Sequence, residues 1–75
     1  MTEYGIVDYY GKYRLCKIIS IGGERVHINL GDVTQDGYAG FSRRGEYISR
    51  GQLLFVGNFE EILTKWNKNF NNHPT

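Results

Sequence analysis

Residues Tyr13–Leu30, YRLCKIISIGGERVHINL, decide the fold. Tyr13 to Ile21 is rich in β-branched and apolar side chains, and Glu24 to Leu30 alternates strictly. Val26, Ile28 and Leu30 fall on one face, and Arg25, His27 and Asn29 on the other. Between the two runs stands Gly22-Gly23, a pair that a two-residue hairpin accepts because its turn needs positive φ. Closing the chain there pairs Ile21 with Glu24, Ile19 with Val26, Lys17 with Ile28 and Leu15 with Leu30. Most apolar residues of the two strands then share a face. Lys17 breaks the pattern, its charged head extending past the edge of the core.

The elements on either side agree with a β-rich domain. Tyr4–Tyr9 reads as a strand and Tyr10-Gly11-Lys12 as a turn. Residues 31–45, GDVTQDGYAGFSRRG, contain four glycines and no periodicity, so they read as a long loop or a distorted hairpin around Asp36-Gly37. Strand character returns at Glu46–Ser49 and at Gln52–Val56, with Arg50-Gly51 as a bend or bulge. The last element is helical. Asn58 and Glu61 form a capping-box pair, and Phe59, Ile62, Leu63, Trp66 and Phe70 make one apolar stripe over a helix at 59–69. So short a helix is marginal alone, and the stripe must bury itself on the sheet. Residues 71–75 read as a frayed tail and 1–70 as one domain.

Composition bounds the function. In 75 residues with net charge +1, ten glycines, six tyrosines, four phenylalanines and one tryptophan, strands and turns are favoured over a helical bundle. The charge lacks the basic excess of a dedicated nucleic-acid binder. With neither a basic leader nor a long apolar run, the expectation is a cytoplasmic protein with no signal peptide and no membrane span. The single cysteine, Cys16, lies in a strand and reads as a buried thiol.

Converging catalytic groups are missing from the pattern. There is no HExxH and no phosphate-binding glycine loop ending in Lys-Ser or Lys-Thr. His27 belongs to the solvent side of a strand and His73 to the tail, which argues against zinc. Asp8, Asp32 and Asp36 stand at turns or strand ends, where carboxylates accept backbone N–H bonds. The expectation is therefore no enzyme, no cofactor and no metal. DGYAGFSRR resembles part of an RNA-recognition signature, but Gly40 interrupts the spacing before Phe41. What remains is a run in which Arg43, Arg44 and Arg50 interleave with Tyr38, Phe41 and Tyr47. Arginine and tyrosine concentrate at protein hot spots and also suit stacking on bases. These six residues are the candidate binding set, and Tyr9, Tyr10 and Tyr13 are the secondary candidates.

YGKYRLCKIISIGGERVHINLGD, over residues 10–32, resembles the core of a Tudor-like domain. Gly11, Tyr13, Arg14, Ile18, Val26, Ile28 and Asp32 fall on matching positions. The resemblance implies a strongly bent barrel of about five strands that binds a peptide or nucleic acid, with Tyr10 and Tyr13 as part of an aromatic cage. After Asp32 that pattern calls for an aromatic and then Gly-Asn. The chain has Val33 and Thr34, which removes a wall of the cage and with it the expectation of methyl-residue recognition.

The resulting expectation is a small, strongly bent antiparallel barrel of four or five strands, Src-homology-3-like or Tudor-like, with a C-terminal helix across it. An open α+β sheet with one helix is the alternative. The expected core is Ile6, Leu15, Ile19, Ile21, Val26, Ile28, Leu30, Leu54, Val56, Ile62, Leu63 and Trp66. The leading function is a non-catalytic protein-interaction module, and the abundant Ile, Asn and Tyr hint at a phage or mobile-element origin. The alternatives are a nucleic-acid-binding module using the loop at 38–50, and a small homo-oligomer such as a dimer joined through an edge strand.

Overall fold

The computed structural model describes residues 2–33 and 39–70. Tyr38, the Asp36-Gly37 turn and the tail at 71–75 lie outside the described residues. Five strands run in chain order: β1 (Glu3–Tyr9), β2 (Lys12–Gly22), β3 (Arg25–Val33), β4 (Ala39–Ser49) and β5 (Leu53–Gly57). A 3₁₀ turn, Arg50–Gln52, joins β4 to β5. Helix α1 (Phe59–Lys65) continues into a π-helical turn, Trp66–Phe70. The strands form one antiparallel sheet in the order β4-β3-β2-β1-β5. The sheet is open, with β4 and β5 as its edges.

The central hairpin forms, but in a different register. The turn is Gly23-Glu24, with Gly22 paired to Arg25 and Ile21 to Val26. Gly23 supplies the left-handed backbone at φ 61°. An irregularity at Ile19 follows, after which Ile18 faces Ile28, Lys17 faces Asn29 and Cys16 faces Leu30. This removes the misfit of Lys17, which now stands opposite a polar residue. It also moves Cys16 and Ile18 into the core, while Ile19 and Ile21 become exposed. A bulge is the device by which a strand changes which side chains face inward without losing its pairing.

Both faces of the sheet bury a core. On one, Ile6 and Leu15 pack with Ile62 of the helix, and Tyr4, Phe41, Leu63, Trp66 and Phe70 surround them. On the other, Val7, Cys16, Ile18, Val26, Ile28 and Ile48 pack together with Tyr9, Leu30 and Leu53 against them. Leu30, Leu63 and Trp66 are only half-buried, and Leu54 and Val56 are exposed because β5 is an edge strand. Val7, Ile18 and Ile48 are core residues that the sequence reading did not include.

The helix start matches its sequence signal. The Asn58 side chain accepts the Glu61 N–H at 2.8 Å, and the Glu61 carboxylate accepts the Asn58 N–H at 3.4 Å. At the other end the π turn leaves Phe70 stacked on Trp66, with ring centroids 6.2 Å apart, and within 4.9 Å of Tyr13. Ile62 is the helix's buried anchor, so Ile62→Ala should cost about 2–5 kcal/mol. That is a large share of the stability of so small a domain. Urea unfolding followed by tryptophan fluorescence measures it, and a loss well under 1 kcal/mol would show that the sheet does not need the helix.

Candidate functional site

The candidate segment belongs to strand β4, Ala39 to Ser49, which extends the expected strand at Glu46–Ser49 back through residues read as a long loop or a distorted hairpin. Its pairing with β3 explains where each candidate goes. Tyr47 opposes His27, Gly45 opposes Asn29, and the next paired residue is Phe41 opposite Gly31. Ser42, Arg43 and Arg44 therefore bulge out against Leu30 alone, and the Arg44 N–H donates to the Ser42 Oγ at 3.1 Å to hold the bend. Arg43 and Arg44 are exposed. Phe41 is half-buried. Its ring packs into the helix-side core, 5.3 Å from Tyr4 and 6.2 Å from Phe59.

Arg50 also leaves the expected cluster. Its backbone N–H donates to the Glu24 carbonyl at 2.8 Å, and its guanidinium Nη1 donates to the Gly23 carbonyl at 3.4 Å. Those bonds fasten the 3₁₀ turn to the β2–β3 turn, which is a structural duty.

Tyr47 forms the centre of what remains. It is 63% exposed and stacks on the His27 ring at 4.5 Å and 14°. The Arg25 guanidinium carbon lies 5.7 Å from its ring centroid. The His27 ring can lie flat there because position 45 is glycine; a Cβ would collide with it. Arg25 and His27 come from β3, and sequence reasoning assigned them only to its solvent side. The available signal was that alternation, combined with the pairing of β3 to β4.

Beside Tyr47 a groove runs between Arg14, Leu30, Asp32, Arg44 and Glu46. Arg14 Nη2 lies 3.1 Å from the Asp32 carboxylate, and the Tyr9 hydroxyl donates to Glu46 at 2.6 Å. That bond, followed by partial burial, raises the Tyr9 pKa above the ordinary phenol value.

The secondary candidates do not converge. Tyr10 and Gly11 are the two central residues of the β1–β2 turn, with φ 51° and 91°. Tyr10 is 80% exposed and meets Tyr9 edge-on at 4.7 Å. Tyr13 instead meets Phe70 beneath the helix. As expected for a turn carboxylate, Asp8 accepts the Gly11 N–H at 3.1 Å.

Among the described residues no group of three or more His, Cys, Asp or Glu side chains is placed to hold a metal, and no helix is long and apolar enough to cross a membrane. No family model, curated protein or solved structure matches the chain.

Cys16 is fully buried and unpaired with another cysteine. Burial pushes its thiol up to about 12. The folded chain therefore holds the thiol proton where the unfolded chain releases it. The resulting contribution to stability is complete below the ordinary thiol pKa and is lost as pH rises from there toward 12. Iodoacetamide at pH 8 should label Cys16 only in urea, as intact mass would show. Rapid labelling of the folded chain would contradict this burial.

Proposed function

We propose that the chain is a non-catalytic protein-interaction module, built on an open, strongly bent five-stranded sheet of the Src-homology-3-like or Tudor-like kind, that engages its partner through Tyr47 and the arginines around it. In this reading it works in the cytoplasm. The observation that carries the reading is the setting of Tyr47. An aromatic ring left 63% exposed contributes little to the core, yet His27 and Arg25 hold it in one orientation. A pre-ordered aromatic beside arginine loses little entropy on binding, which is why such groups dominate protein hot spots. Arg43 and Arg44 extend the surface along β4 and favour a partner with acidic groups.

A photo-reactive amino acid at position 47 should cross-link to one protein partner, and Arg25→Ala should reduce that yield several-fold while far-UV circular dichroism stays unchanged. The same group at Lys68, on the outside of the helix, serves as the comparison. Equal adducts at both positions would remove the assignment.

One observation supports nucleic acid as a second reading. Arg25, Arg43 and Arg44 take part in no ion pair among the described residues, and Tyr47 offers a face on which a base can stack. Fluorescence anisotropy with a single-stranded oligonucleotide separates the two readings, because phosphate contacts make affinity fall steeply with salt. On the protein reading no binding tighter than about 100 µM is expected at physiological salt.

A further inference from the structure

A glycine inside a strand loosens the backbone and gives up a side chain that could pack, so its presence needs a reason. In the β3–β4 pair two glycines have a ring lying across them. A Cβ at Gly31 would collide with the Phe41 ring. One at Gly45 would collide with His27 Nε2 and press on Cδ2 and Cε1 at 3.0 and 3.1 Å. The two rings have different destinations. Phe41 packs into the helix-side core, so Gly31 serves packing. His27 belongs to neither core and stacks on Tyr47 instead. Backbone conformation does not explain Gly45 either. It follows the Ser42–Arg44 bulge, yet its φ lies outside the left-handed region that Gly11 and Gly23 occupy.

We infer that Gly45 is a positioning residue for Tyr47 and acts through His27. Tyr47 opposes His27 across the pair, and Gly45, two residues earlier, lies on the same face of β4. With no side chain at 45, the His27 ring lies over the strand and holds Tyr47 at 4.5 Å and 14°. A methyl group there must displace the ring. The atom in its way is the far end of a side chain, so the ring turns and the strand stays. Tyr47, 63% exposed, then keeps only the Arg25 guanidinium, 5.7 Å from its ring centroid. Re-ordering a side chain released in this way weakens binding roughly 2- to 10-fold. That consequence rests on the reading of Tyr47 as a contact residue, whereas the positioning itself does not.

Proton NMR of the full chain tests the positioning without a partner. In wild type the Tyr47 ring protons should give cross-peaks to the His27 ring and lie upfield of their free-tyrosine positions. Gly45→Ala should remove those cross-peaks and move the Tyr47 signals to where His27→Ala puts them, while the Ile6, Leu15 and Ile62 methyl signals stay in place. In the double variant the Tyr47 signals should match those of His27→Ala alone. Tyr47 signals that Gly45→Ala leaves unchanged overturn the inference, as does a further shift in the double variant. If Gly45→Ala fails to fold, thermal melting of the double variant decides. With the His27 ring gone the double variant should fold, and its failure would make Gly45 a requirement of the backbone and overturn the inference. Binding is read separately. A photo-reactive amino acid at Arg43 should cross-link to a protein partner several-fold less in Gly45→Ala than in the parent chain. Equal yields, with the ring signals moved as expected, would remove Tyr47 from the contact surface and leave its positioning by Gly45 standing.

Discussion

Ile6 and Val7 are neighbours in the chain, both fully buried, and they belong to different cores. Successive strand residues point to opposite faces, so a strand buried on both sides needs a cover on both. β1 is such a strand, flanked by β2 and β5. Everything else in the molecule answers the demand that those two side chains make. Among the described residues there is one sheet and one α-helix to meet it.

The two faces are covered by different means. The helix closes the Ile6 side, with Ile62 set against Ile6 and Leu15 and a rim of aromatic rings around them. Its start is fixed by the Asn58–Glu61 capping bonds. Its far end changes to a π turn, which leaves Phe70 against Trp66, Tyr13 and Phe55. On the Val7 side there is no helix. Residues from all five strands, Val7, Cys16, Ile28, Ile48 and Leu53 among them, bury one another. The Ile19 bulge contributes to this by turning Ile18 and Cys16 to the side of Val26 and Ile28. The 3₁₀ turn contributes as well, since the Gln52 amide donates to the Asp8 carbonyl at 3.1 Å and ties the crossing between the edges to β1.

The local signals were legible in the sequence and the non-local ones less so. The β1–β2 turn, the capping box and the apolar stripe of the helix depend on residues a few positions apart, and each forms where its pattern indicates, while the hairpin forms with its turn one residue later, at Gly23-Glu24. The register did not follow from the Gly-Gly pair, because a bulge at Ile19 compensates for moving the turn by one residue. Lys17 facing Ile28 was the visible sign of that error. The first half of β4 was read as a loop or a distorted hairpin because glycines and a three-residue bulge erase its alternation, although its pairing with β3 is long. The candidate surface suffered for the same reason. Phe41 and Tyr47 look alike in a one-dimensional list, and the pairing with β3 separates them, setting Phe41 opposite Gly31 against the helix-side core and Tyr47 opposite His27 farther along the strand.

Such a thin fold makes its exposed apolar groups unusually informative. With most large side chains committed to one of two small cores, an exposed ring or aliphatic residue is one the core did not need. Tyr13 and Phe59 are exposed yet still contact rings of the helix-side core. Tyr47 and the outer residues of β5 have no comparable role. Tyr47 stacks on His27 and lies beside Arg25, both polar, and Leu54 and Val56 are exposed on an edge strand. Tyr10 has the same character, a large exposed ring at a left-handed turn position that asparagine or glycine occupies at lower cost. None of these residues belongs to either of the two cores. On the proposed reading they form part of the surface that a partner completes.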